Sequence, residues 1–411
     1  MKKLTAFFLA VILAALSGVG IHLFCRERAA RDPHGFAVWS NEKKFSSWEG
    51  LKENLDENVI PVFGSSEIQH GTDTEFHPNQ VFADTEFQPL LIGAGYYQSL
   101  GHAITLASLG DSVKSKKAVL LLAPQWFRGH GVKAEAFASR FSEIQFIHML
   151  ENPRISPETR QYLIQRTEEL LKKDPQTLER IRLYTAGEEE TGPWEKLCAG
   201  LYRAFLKEKD LCQTVLAEEM DGIPLASGKT SGKSSGTAAE QTDREVSGEQ
   251  AGALPEGNTE PDWSALERKA QEQGEKSEQN PFYMEPAAWE KKKRLIEKGK
   301  VKRDQVTDGY KSLEERGDLE AFLDVCREME IEPLVVMLPV NGYWYDYTGY
   351  GMEAREKYYQ RIRALLEERQ VKYADLSGEE YTKYFFEDGI HPSGKGWTKI
   401  NEILYRFYQE G

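Results

Sequence analysis

An α/β fold with a parallel sheet flanked by helices is the architecture this sequence predicts, and three observations predict it. Short apolar runs without polar alternation recur along the chain, as in NVIPVFG (58–64) and KKAVLLLAPQWF (116–127), and such runs suit strands buried on both faces. Segments with apolar residues three and four apart lie between them, so strand and helix alternate. The 411 residues are 40% hydrophobic, enough to bury a large core.

Taken in order, the first element is LTAFFLAVILAALSGVGIHLF (4–24), about the length a helix needs to cross a bilayer, with His22 its only ionisable side chain. It reads as a transmembrane anchor within residues 1–30. A cleaved signal peptide is the alternative, since Ala15 and Ser17 are small enough for a cleavage site, although the apolar run outlasts a typical leader. Lys2 and Lys3 face Arg26, Arg28 and Arg31 across it, so charge leaves the orientation open. The general habit of short N-terminal anchors favours a single pass through the cell membrane with the rest of the chain extracytoplasmic.

One α/β domain is expected over 45–411. The strand at 58–64 opens it; PLLIGAGYYQSLGHAITLASLGDSV gives a short strand and a helix from about Tyr97, and 116–127 gives the next strand. Residues 134–217 read as a helical insertion, with SPETRQYLIQRTEELLKK starting on a Ser-Pro-Glu signal. Residues 222–280, rich in Gly, Ser, Thr and Glu, read as a low-complexity flexible insertion, because so few apolar side chains cannot offset the entropy of ordering. Order is expected again from NPFYMEPAAWEKKK, with a helix over 317–331, a strand over 333–341, a helix over 355–371, a strand over 372–377 and a closing helix over 394–410.

A net charge of −14 argues against nucleic acid as a partner, because no surplus of Lys and Arg is available to neutralise phosphates. The cysteines at 25, 198, 212 and 326 form no metal pattern. Cys198 and Cys212 are close enough to pair in an oxidising envelope, or are buried free thiols.

Two stretches carry candidate chemistry. PVFGSSE ends the first strand on a glycine and two serines, and FFEDGIHPSGKGW (385–397) puts Asp388 three residues before His391, ahead of the last helix. An aspartate at that spacing can orient one ring nitrogen while the other faces outward to activate a serine. Alone, GSSE is as easily a turn with a serine cap, and Ser393 a cap for the closing helix. In a parallel α/β sheet the two stretches are spatially compatible, since sites form at the carboxyl ends of strands.

These two stretches resemble the SGNH (GDSL-like) hydrolase superfamily. With LAPQWF, NPFYM and the N-terminal anchor, PVFGSSE and DGIHPSGKGW resemble the DltD family of lipoteichoic acid D-alanylation over most of the chain outside 222–280. That resemblance implies Ser66 as nucleophile with Ser65 its rival, His391 as general base, Asp388 as orienting acid, and an oxyanion site at Ser66, Gly95 and Gln125, the last standing where the superfamily has an asparagine. It implies a D-alanyl donor, the lipoteichoic acid polyol phosphate as acceptor, membrane proteins of the D-alanylation machinery as partners, and no cofactor or metal. An esterase or thioesterase with the same triad, or a non-catalytic scaffold, are the rival functions. His70 and His77 flank GTDTEF and read as ordinary loop histidines rather than metal ligands, for want of clustered carboxylates. His102 and His130 have no partner motif. Trp126, Phe127, Tyr343, Trp344, Tyr345 and Tyr347 line a groove or pack the core.

Overall fold

The computed structural model describes residues 2–29, 47–185, 192–221 and 260–410. Five parallel strands form one sheet in the order β2-β1-β3-β4-β5: β1 (Val59–Gly64), β2 (Gln88–Gly93), β3 (Lys117–Leu122), β4 (Glu332–Met337) and β5 (Lys372–Asp375). Every residue of β1 and β3 is buried, which is why their sequences carry no polar alternation. Strand order reverses between β1 and β3, so the crevice beyond their carboxyl ends is the topological switch point. At the edge, β5 is half exposed, and Lys372 blunts it with ion pairs to Glu332 and Glu410, both at 2.7 Å.

The helix Ser99–Leu109 is buried almost all round and packs against Leu313–Glu328 over the sheet, where Phe63 meets Phe322 edge-on at 5.6 Å. On the closing helix, Gly394–Gln409, Trp397, Ile400, Leu404 and Tyr405 recur at helical spacing and are buried. Its first turn is capped by Ser393, whose Oγ accepts the Lys395 N–H. Residues 134–221 supply the helices Ala134–Arg140, Glu143–Glu151, Pro157–Leu170, Pro175–Thr185 and Pro193–Asp221. Ser142 and Ser156 cap two of them.

The expected flexible insertion over 222–280 needs correcting at its C-terminal end. Residues 263–277 form a helix, capped by Asp262 and packed against the closing helix through Trp263 and Tyr405, whose rings are 5.8 Å apart. Only a narrow face, with Ala270 and Gly274, is buried; Glu, Arg, Lys and Gln, all good helix formers, cover the rest. The composition therefore reads as polar while the local propensity is helical. Residues 222–259 lie outside the described residues.

The four cysteines are free thiols, and Cys198 does not bond Cys212. Cys212 instead faces Cys25 of the N-terminal helix at 3.6 Å, one turn beyond a 2.8 Å His22–Glu208 contact. That helix, Lys2–Ala29, is long and apolar enough over Leu4–Arg28 to cross a membrane, and its large side chains are exposed.

Candidate active site

The serine loop is shaped by what surrounds the end of β1. Gly64 pairs with Gly93 of β2, and a Cβ on Gly93, whose φ is +152°, would stand 1.9 Å from the Gly64 carbonyl oxygen. Only glycine permits that approach. Past Gly64 the chain tightens into a 3-10 turn, Ser66–Gln69. Glu67, 2% exposed, folds back to accept the Ser65 N–H at 2.6 Å. Burial pushes the Glu67 carboxyl up, against the pull of that N–H and of the His391 and His70 rings.

The two serines separate in role. Ser65 is buried and donates to the Ala94 carbonyl at 3.2 Å, whereas Ser66 is half-buried with its Oγ 2.8 Å from Nε2 of His391. Asp388 Oδ1 lies 3.1 Å from the other nitrogen, Nδ1. That is an ion-pair distance at an angle short of a hydrogen bond, since Nδ1 has no aligned partner. The Asp388 carboxylate also accepts the N–H groups of Ile390 (2.8 Å) and His391 (3.0 Å), so the aspartate shapes the loop that carries its own histidine. Burial pushes this carboxyl up, but His391 and the two N–H groups outweigh it and hold it well below the usual carboxylate range.

Neighbouring elements brace the loop. Asn341, just past β4, donates its N–H to the Gly389 carbonyl at 3.0 Å, and Trp344 and Tyr345 pack on Gly389. The Glu387 N–H returns to the His391 carbonyl at 2.9 Å. Among the aromatic candidates, Trp126, Phe127 and Trp344 are buried, while Tyr343, Tyr345 and Tyr347 are half-buried.

Of the expected oxyanion donors, the Gly95 N–H points at the Gln69 side chain and donates to its Oε1 at 3.1 Å. The Gly95 backbone itself is beside Ser66, whose Cβ is 3.8 Å from where a Gly95 Cβ would sit. Gln125 lies on the 3-10 turn after β3, with its Oε1 buried and unpartnered. The next residue after Gly95, Tyr96, is 66% exposed with φ +73°, an uncommon conformation for a non-glycine residue.

His70 is not an isolated loop residue. Its ring stacks on His391, centroids 3.7 Å apart and planes 10° from parallel, and its Nδ1 is 2.8 Å from Glu387 Oε2. Burial alone would lower the His70 pKa, but the Glu387 carboxylate, joined by Asp388 and Glu67, raises it. His77 is a core residue: Nε2 donates to the Ile68 carbonyl at 3.0 Å, and burial lowers its pKa to about 4. His102 is buried and His130 exposed, and among the described residues no cluster suits a metal ion. Sequence reasoning missed Glu387, Glu67 and Gln69. The adjacent acids Glu387-Asp388 were the one available signal.

Fold and cluster together define a class: a parallel α/β protein presenting a serine, a histidine and an aspartate at the carboxyl end of its sheet, with a long apolar helix before the domain. Within that class the chain belongs to the DltD family, whose profile matches residues 38–409. It is 30% identical to Protein DltD of Bacillus subtilis over 361 residues, covering 87% of this chain and 84% of the relative. To Protein DltD of Staphylococcus aureus it is 27% identical, covering 84% and 79%, and to that of Lacticaseibacillus rhamnosus 26% identical, covering 86% and 78%.

Proposed function

We propose that this chain is a membrane-anchored, extracytoplasmic serine acyltransferase that moves D-alanine onto the polyol of lipoteichoic acid. Membership of the DltD family supports a role in D-alanylation of teichoic acids. The observation that carries the chemistry is the Ser66 Oγ to His391 Nε2 separation of 2.8 Å with Asp388 on the far nitrogen.

In the proposed cycle Ser66 Oγ attacks the carbonyl carbon of an activated D-alanyl donor as His391 Nε2 takes the hydroxyl proton. Asp388 holds the ring and stabilises the imidazolium. The leaving group departs with that proton, leaving a D-alanyl ester on Ser66. A polyol hydroxyl then gives its proton to His391 and attacks the ester, which restores Ser66 and passes D-alanine to the acceptor. Gly95 N–H serves the oxyanion once the substrate oxygen displaces Gln69 Oε1 from it, a donor worth about 3–4 kcal/mol where measured in another enzyme. No step needs a metal or organic cofactor. The helix over Leu4–Arg28 fits the anchor, which would keep the site near a membrane-attached acceptor and its partner proteins.

A fluorophosphonate probe tests the reading. The full chain in detergent should be labelled on Ser66, and Ser66→Ala and His391→Ala should abolish labelling while Ser65→Ala keeps it. An unlabelled but folded wild type would refute it.

A further inference from the structure

Beyond the three residues of the proposed cycle, a second imidazole belongs to the site. His70 covers one face of the His391 ring at 3.7 Å and within 10° of parallel. It is itself fixed from two directions: Nδ1 by Glu387 at 2.8 Å, and its backbone carbonyl by Nε1 of Trp397 at 3.2 Å. Both restraints come from the C-terminal segment that also carries His391, so serine loop and histidine loop are clasped twice, once by Ser66–His391 and once by His70–Glu387. The clasp matters because the Asp388 contact to Nδ1, at 3.1 Å and not aligned as a hydrogen bond, restrains the plane of the ring less than a straight one would. A flat partner pressed on the ring face supplies the missing restraint.

We propose that His70, held by Glu387, is a positioning residue that fixes the plane of His391 for proton transfer with Ser66. This rests on the catalytic reading above. The charged groups acting on His70 are Glu387, Asp388 and Glu67, with Glu285 beside Glu387 through its N–H to the Glu387 carbonyl at 3.0 Å. Since the proposed role is stacking, an uncharged flat ring should serve in place of the imidazole.

The test uses the full chain in detergent and the fluorophosphonate probe, with the saturating labelling rate separated from apparent probe affinity and thermal unfolding followed in parallel. His70→Ala should slow the saturating rate about 10–100-fold, the scale of an ångström-level misplacement, with affinity and unfolding midpoint close to wild type. His70→Phe should restore most of the rate, and Glu387→Gln, whose amide oxygen still accepts from Nδ1, should retain it. His70→Ala at the wild-type rate overturns the proposal. So does His70→Phe as slow as His70→Ala in a folded protein, because a flat ring on the His391 face would then not be what the rate depends on. Failure of wild type to label, by contrast, overturns the catalytic reading itself and this inference with it.

Discussion

Glu278 should make the fold lose stability as the medium turns alkaline. It ends the helix Trp263–Ser277, is 6% exposed, and its Oε2 has no partner. Burial, helped by the charge of Glu285, pushes its pKa from the ordinary 4.5 to about 8. A folded-state value above the unfolded one means the native chain holds the extra proton between those two points. Stability from this group is therefore complete below about pH 4.5 and lost as pH rises through about 8. At about 1.4 kcal/mol per pH unit, the interval is worth about 5 kcal/mol at most, and relaxation around the ionised group brings it to roughly 2–5 kcal/mol. Glu278→Gln keeps the shape and cannot ionise. Thermal unfolding of both proteins at pH 5, 7 and 9 should show the variant gaining on wild type by several degrees at pH 9, at about 1–1.5 °C per kcal/mol for a chain of this length. Melting curves that stay parallel across that range would sink the reasoning.

Two further perturbations follow from the packing. Arg355, 1% exposed, holds Glu380 through Nε at 2.8 and 2.9 Å, Asp346 at 2.8 Å and the Tyr381 hydroxyl at 2.8 Å. Arg355→Leu strands the buried Glu380 carboxylate and should cost about 3–5 kcal/mol in urea unfolding, part of it recovered by adding Glu380→Gln; an unchanged urea midpoint would contradict this. Gly93→Ala drives a methyl into the Gly64 carbonyl and should cost more than about 3 kcal/mol and slow Ser66 labelling. Gly129→Ala, also at positive φ but with nothing within 4 Å, should cost only about 1 kcal/mol, and equal costs would show that the close approach is not what matters.

What the sequence made legible divides by range of interaction. β1 and β3 were plain because strands covered on both faces need only apolar residues, and Ser393 announced the closing helix because a cap acts within one turn. Asp388 and His391 were visible as a spacing, since three residues of loop suffice to bring them together. The partnership of His70 with Glu387 crosses 317 residues and leaves no periodic trace in either segment. Gln69 reaching for Gly95 depends on the register of β1 against β2, which composition does not encode. The helix over 263–277 was hidden for another reason: averaging over a polar stretch conceals a single narrow buried face.

The 2.8 Å contact between Ser66 and His391 joins positions 325 residues apart, and everything between them must be made and folded before the contact exists. A chain that emerges from its N-terminus acquires its serine early and its histidine among the last 21 residues. Until that last segment has folded onto the sheet, such a chain holds Ser66 without its imidazole neighbour. The final helix begins three residues after His391 and ties back to the serine loop through Trp397 and the His70 carbonyl, so cutting it away would loosen the hold on both partners of that contact.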